Sequence, residues 1–148
     1  MNLFECKVRY QKEIGDGKMQ NSTDTYLIEA INFGDAETRV LEEVRPFAFA
    51  GGDVEMKSIK KVIYSEILPK DDGHYWYKTK LQLTTLDESS GKEKKVNVNL
   101  LVQETDMQKA YEAVQHLMKD SVTDYEIINL QQTEIVDVLT LVSNAQRE

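Results

Sequence analysis

Basic and aromatic side chains at alternating strand positions are the residues of this sequence that could do chemistry. They occur in three stretches and comprise Lys7, Arg9, Lys57, Lys60, Lys61, Trp76, Lys78 and Lys80. Proteins that bind single-stranded nucleic acid use this combination, because cations follow the phosphates and aromatic rings stack on the bases. The pattern therefore predicts a nucleic-acid-binding sheet face on which the lysines contact phosphates and Trp76 stacks on a base.

A second interpretation of the same residues stays open. Lysines alternate with apolar residues in any solvated strand, and Glu5, Glu55 and Glu66 share these strands and reduce their positive charge. In that interpretation Trp76 packs in the core or in an interface. The sheet face would then form a homodimer or bind another protein, as an interaction module or an inhibitor.

Other reactive residue types lack catalytic or metal-binding spacing. The two histidines, His74 and His116, do not form a metal-binding pair, and no nucleophile-elbow motif is present. Cys6 is the only cysteine and falls on the apolar side of a predicted strand, which favours packing over reactivity. The aspartates beside glycine at 15–17 and 71–73 fit turns better than calcium loops, which require a distal glutamate. We therefore expect no enzyme, no metal and no cofactor.

The composition limits the class of ligand and the compartment. A formal net charge of -8 over 148 residues argues against binding duplex DNA by bulk electrostatics, although a local basic face remains compatible with it. No apolar run approaches the roughly 18 residues of a membrane helix, and the first ten residues lack the features of a signal peptide. We expect a cytoplasmic protein that does not contact membranes.

Two similar sets of strands and helices must position these residues. In the first half, alternation and helical spacing predict strands over residues 4–10, 18–30 and 54–68 and a helix over 35–45 that Pro46 ends. In the second half they predict strands over 74–83, 94–103 and 124–139, and a helix that begins at a capping box formed by Thr105 and Gln108. Hairpin turns are predicted at 15–17 and 87–91. The last strand of each half changes its alternation, near 60–61 and near 131–132, as a β-bulge would cause.

The two halves match when one is shifted by about 71 to 74 residues, which aligns Cys6 with Thr79, for example. This self-similarity predicts an internal duplication. We expect a single domain made of two halves, 1–70 and 74–141, followed by a polar tail at 142–148. The predicted fold is α+β, with strand-strand-helix-strand units forming a mostly antiparallel sheet that carries two helices on one face.

With its residues placed, the sequence also resembles a known family. The residues that carry the resemblance are 4–10, Tyr26, Leu27, Glu29, Ala30, Pro46, Phe47, Tyr64–Glu66, Trp76–Lys78, Lys80 and Leu86–Glu88. They resemble an uncharacterised domain-of-unknown-function family of Bacteroides-type bacteria and their phages, including crAss-like phages, over nearly the whole chain. The resemblance implies no catalytic or binding residue. Its phage and mobile-element setting implies a role in replication or host takeover by association, and a partner in the phage or the host.

The predicted plan of two units is also similar to that of duplicated small-sheet proteins that bind single strands, of the transcription-coactivator and Whirly type. This is an analogy of fold rather than of motif. It agrees with the ligand class that the lysines and Trp76 predict.

Overall fold

The chain repeats one order of elements, strand-strand-helix-strand-strand, in its two halves. The computed structural model describes residues 2–140, so the tail predicted at 142–148 lies outside the described residues. The first half contains β1 (Asn2–Gly15), β2 (Lys18–Ala30), α1 (Phe33–Val44), β3 (Glu55–Val62) and β4 (Glu66–Leu68). The second half contains β5 (Tyr75–Leu86), β6 (Glu93–Glu104), α2 (Met107–Met118), β7 (Asp124–Gln132) and β8 (Ile135–Leu139). The predicted α+β class is confirmed.

The strands form two four-stranded sheets, with the orders β3-β1-β2-β8 and β4-β6-β5-β7. β8 pairs in parallel with β2, and β4 pairs in parallel with β6, whereas all other neighbours are antiparallel. The mostly antiparallel pairing is therefore confirmed, but the strands are divided over two sheets where the sequence predicted one. The reason lies in the long strands predicted over 54–68 and 124–139, because each is interrupted and its two parts pair in different sheets.

The compact units of the structure do not follow the two halves of the sequence. The first unit takes the chain up to Ile63 together with the segment that begins at Glu134, and the second unit is Tyr64–Thr133. Each predicted half, 1–70 and 74–141, thus supplies its last strand to the sheet of the other unit. The origin of the halves by duplication stays a prediction.

The first unit has its core between one sheet face and α1. Alternate residues of β1 and β2 meet the apolar stripe of the helix, and the buried side chains include Phe4, Cys6, Val8, Tyr26, Ile28, Ala36, Val40 and Val44. The helix begins after Asn32, whose side-chain oxygen accepts a hydrogen bond of 2.8 Å from the Asp35 amide. It ends at Val44, where the chain enters a 3-10 turn that contains Pro46. The sequence therefore places this helix correctly to within two residues.

The second unit repeats this packing on α2. Its buried side chains are Tyr77, Leu81, Leu100, Val102, Ala110 and Val114, which again lie on one sheet face and one helical stripe. Thr79, the residue that aligns with Cys6, is fully buried on the same face, and its hydroxyl has no hydrogen-bond partner among residues 2–140. Each sheet thus buries one face against its own helix, whereas the opposite face carries polar side chains beside the buried Leu27 in the first sheet and the buried Trp76 and Leu101 in the second.

The start of α2 differs from the prediction. The capping residue is Asp106, whose carboxylate accepts a hydrogen bond of 2.8 Å from the Lys109 amide. The predicted capping box of Thr105 and Gln108 is therefore wrong by one residue. Aspartate caps a helix at least as well as threonine, and Gln108 donates to Glu112 along the helix instead.

Two of the four edge strands, β3 and β7, each contain one β-bulge at matching positions. The register with β1 shifts so that Lys57 has no partner residue, and the register with β5 shifts so that Ile128 has none. The predictions near 60–61 and 131–132 placed the irregularities three to four residues too late. Met56 and Ile59 both pack on the first core although they are three residues apart, so the change in alternation must fall between them.

A pair of glycine substitutions tests the packing of the segment before β5. A Cβ atom at Gly73 would lie 2.9 Å from the backbone nitrogen of Glu104, so Gly73→Ala forces a backbone shift and lowers the free energy of unfolding by about 1–3 kcal/mol. Gly34 in α1 is the control, because its nearest new contact would be an ordinary 3.5 Å. There the alanine raises the free energy of unfolding by about 0.5 kcal/mol. Urea denaturation measures both values, and shifts of the same sign would contradict this account.

Candidate functional site

The face of the second sheet opposite α2 gathers lysine and amide side chains. Lys80 of β5 lies opposite Asn99 of β6 on one side and opposite Asn129 of β7 on the other. Lys78, two residues earlier, lies opposite Gln131 of β7. Residues directly opposite each other in antiparallel strands point to the same face, so these five side chains form one patch. We call Lys78, Lys80, Asn99, Asn129 and Gln131 the amide–lysine face.

The lysines of this face are not neutralised by ion pairs. Lys80 is exposed and Lys78 is half-buried, and neither has a carboxylate within 4.0 Å in the described part of the chain. The nearest acidic residue along β7 is Glu126. It lies opposite Gln82, the residue of β5 that follows Lys80 on the same face. The positive charge is therefore confined to one end of the face.

The amide groups supply hydrogen-bonding capacity beside these charges. The Asn129 side-chain nitrogen lies 3.5 Å from the Gln131 carbonyl oxygen, a long contact that leaves most of the donors and acceptors of both amides accessible. Each amide offers both donors and an acceptor next to an ammonium group. The patch can therefore bind an anion and, beside it, a group with mixed donors and acceptors.

Trp76 does not have the role that the sequence predicted for it. Trp76 lies two residues before Lys78 on β5 and therefore on the same face. Its side chain is only 5% exposed, however, so the indole ring is not accessible for stacking on a base. Burial of a large aromatic surface is favourable, and the alternation in the sequence carries no information about what covers the ring. The interpretation in which Trp76 packs agrees with this burial.

The basic residues of the first sheet are divided between its two faces. Lys7 and Arg9 are exposed on the face opposite α1. Lys60 shares that face but forms an ion pair of 2.9 Å with Glu5. Lys61 lies opposite the core residue Phe4 and therefore belongs to the helix side, which contradicts the predicted convergence. The cause is the position of the bulge, which sets the alternation of the whole strand.

The bulge residue Lys57 is paired as well, because its ammonium nitrogen lies 3.5 Å from a Glu55 carboxylate oxygen. Arg9 lines an open groove of about 360 Å³ whose wall also contains Asp53 and Glu55. These carboxylates oppose the approach of a phosphate. The first sheet is thus a weaker anion site than the amide–lysine face.

The remaining reactive residues have structural surroundings. Cys6 is fully buried, and burial together with the nearby carboxylates of Glu5 and Glu37 raises the pKa of its thiol to about 11. A thiol with that pKa is protonated at neutral pH and is a poor nucleophile. Both histidines are exposed. Within residues 2–140, no group of three or more His, Cys, Asp or Glu side chains is arranged to hold a metal ion.

The sequence pattern does not predict three residues of the amide–lysine face, Asn99, Asn129 and Gln131. A signal for two of them exists, since asparagine is depleted in strands and its presence within β6 and β7 is unusual. Their proximity to Lys80 follows only from the register of three strands. That register depends on the bulge at Ile128, which the sequence placed elsewhere.

In the described part of the chain, no helix is long and apolar enough to cross a membrane.

A family model described as a domain of unknown function (DUF4494) matches residues 2–141. No curated protein matches the chain.

Proposed function

The chain belongs to the family described as a domain of unknown function (DUF4494), and from the geometry of its second sheet we propose that it is a non-enzymatic protein that binds single-stranded nucleic acid. The observation that carries the proposal is the row in which Lys80 lies between Asn99 and Asn129, with Lys78 and Gln131 beside it. The two ammonium groups contact neighbouring phosphates. The amides form hydrogen bonds with the edges of unpaired bases.

The chemistry of the face favours a single strand over a duplex. Asparagine and glutamine form paired hydrogen bonds with base edges, and these edges are accessible when a base is unpaired. A duplex presents a dense array of phosphates, and a chain with a net charge of -8 and two clustered lysines has little to neutralise it. Because Trp76 is buried, stacking on that ring is not part of the proposed contact.

The setting that the resemblance implies, in Bacteroides-type bacteria and their phages, is part of this proposal. Replication of a phage or mobile element produces unpaired strands, which is the ligand class that the face fits. The protein would act in the cytoplasm, where such strands arise.

The salt dependence of binding tests the role of the lysines. Fluorescence anisotropy with labelled single-stranded and duplex oligonucleotides is measured over a salt series for the parent and for Lys78→Gln/Lys80→Gln. The parent binds the single strand more tightly, and the double variant binds it more weakly. Each phosphate contact contributes about 0.7 to the logarithmic salt slope for a single strand, so the slope falls by about 1.4 when two contacts are lost.

A matched control separates this local effect from the change in net charge. Lys94→Gln/Lys109→Gln removes the same charge from the same unit, but Lys94 lies opposite Thr85 on the helix side of the sheet and Lys109 lies on α2. This control keeps the parental slope. Loss of binding in the control, or no salt-dependent binding by the parent at micromolar protein, would overturn the proposal and favour a face that binds another protein.

A further inference from the structure

Two edge strands, β3 in the first sheet and β7 in the second, carry opposite charges. In the part of the chain that the structure describes, neither β3 nor β7 has a strand on its outer side. β3 contains three lysines and one glutamate, whereas β7 contains Asp124 and Glu126 and no basic residue. We propose that β3 of one copy of the chain pairs antiparallel with β7 of a second copy, so that the protein associates with itself edge to edge.

One register of this pairing satisfies both charge and packing. It places Lys60 opposite Glu126, which extends the row that Lys60 already forms with Glu5 across a third strand. The same register places Ile59 opposite Ile127 and Met56 opposite Leu130. All four of these apolar residues pack on the helix side of their own sheets. The pairing would therefore continue the helix side of one sheet into the helix side of the other, and would join the two opposite faces in the same way.

The bulges select this register over its neighbours. Lys57 falls opposite Asn129 and Ile128 opposite Ser58, so the alternation changes in both strands at the same place. Moving β7 by two residues in one direction puts Ile59 against Asn129. Moving it in the other direction puts Met56 against the bulged Ile128. Bulges and lysines usually protect an edge strand from pairing with other chains. In this pairing β3 accepts β7 because β7 has a bulge at the matching position and the opposite charge.

Charge also decides which edges meet. Pairing of β3 with β3 would bring lysines together, and pairing of β7 with β7 would bring carboxylates together, and such like-charge contacts are strongly disfavoured. A contact between two different edges is heterologous, so it leaves one free edge of each kind at the ends of every assembly. Association therefore continues into open chains or closes into a ring.

A charge exchange between two variants of the full-length chain tests the contact. Sedimentation velocity at low salt, without nucleic acid, follows the parent from micromolar to sub-millimolar concentration, and the sedimentation coefficient rises. Lys60→Glu and Glu126→Lys each weaken this association about tenfold or more, because each places like charges at the contact. An equimolar mixture of the two variants regains association, since the introduced carboxylate of one variant then meets the introduced ammonium group of the other.

The control is Lys61→Glu, which makes the same charge change on β3 but faces Tyr125 in the proposed register, so it keeps most of the association. Circular dichroism checks the fold of each variant, and Glu126→Lys probes the contact independently if Lys60→Glu unfolds. A parent that stays monomeric, a mixture that fails to associate, or a Lys61→Glu variant as weak as Lys60→Glu would overturn the proposal.

Discussion

Replacement of Phe4 by alanine lowers the free energy of unfolding by about 3–5 kcal/mol, the range for a large aromatic residue truncated in a core. Phe4 is 1% exposed and lies where β1 meets α1. Truncation leaves a cavity that the surrounding β-branched side chains cannot fill. Since proteins of this size are stable by about 5–15 kcal/mol, this one change removes a large share of the total.

Phe33 provides the matched control for Phe4. The two rings form an edge-to-face pair with centroids 4.9 Å apart, but Phe33 is 52% exposed. Phe33→Ala loses the same ring pair without creating a buried cavity, and it costs about 1 kcal/mol or less. Urea denaturation followed by circular dichroism compares the two variants. Equal losses would show that Phe4 contributes through its ring contact rather than through the packing of the core.

Alkaline pH destabilises the fold, by about 2 kcal/mol between pH 9 and pH 11 from Cys6 alone. Burial, and then the carboxylates of Glu5 and Glu37, raise the pKa of this thiol from 9.0 to about 11. Between these values the unfolded chain has lost the proton and the folded chain keeps it. The contribution of the Cys6 thiol to the free energy of unfolding is therefore fully present well below pH 9 and is lost as the pH rises through 11.

Two tyrosines extend the loss to higher pH. Burial, with Asp24, Asp137 and Glu43 nearby, raises the pKa of Tyr26 from 10.0 to about 12. Burial also raises the pKa of Tyr10, whose hydroxyl donates a hydrogen bond of 2.6 Å to Asp24. Urea denaturation at a series of pH values measures the slope. In Cys6→Ala the slope between pH 9 and 11 becomes shallower, and a slope identical to that of the parent would contradict the assignment to the thiol.

Local patterns in the sequence were sufficient to place most elements of this fold. β2 begins and ends where the alternation and the turn glycines predicted, at Lys18 and Ala30, because a hairpin is determined by neighbouring residues. The sheets to which β4 and β8 belong could not be predicted. These strands have three and five residues, and their parallel partners are distant in sequence, so no short-range signal identifies the pairing.

The candidate site was predicted in part. Alternation put Lys78 and Lys80 on one face, and the register of β5 agrees with that. The burial of Trp76 and the helix-side position of Lys61 depend on packing and on a bulge, which the pattern of residue types does not encode. Asn99 and Asn129 belong to the site only because of the register of β5, β6 and β7, which residue types do not determine.

The parallel pairing of β8 with β2 also has a consequence for the order of synthesis. The ribosome makes β1, β2, α1 and β3 first, but Ile135–Leu139 emerges only after the whole of Tyr64–Thr133. The second unit is continuous in sequence, and all of it is synthesised while the first unit still lacks its last strand. Throughout that interval the edge of β2 around Leu27 is open, and an open apolar edge in a nascent chain is a site for aggregation. The most vulnerable part of this protein during its synthesis is thus the part that is made first.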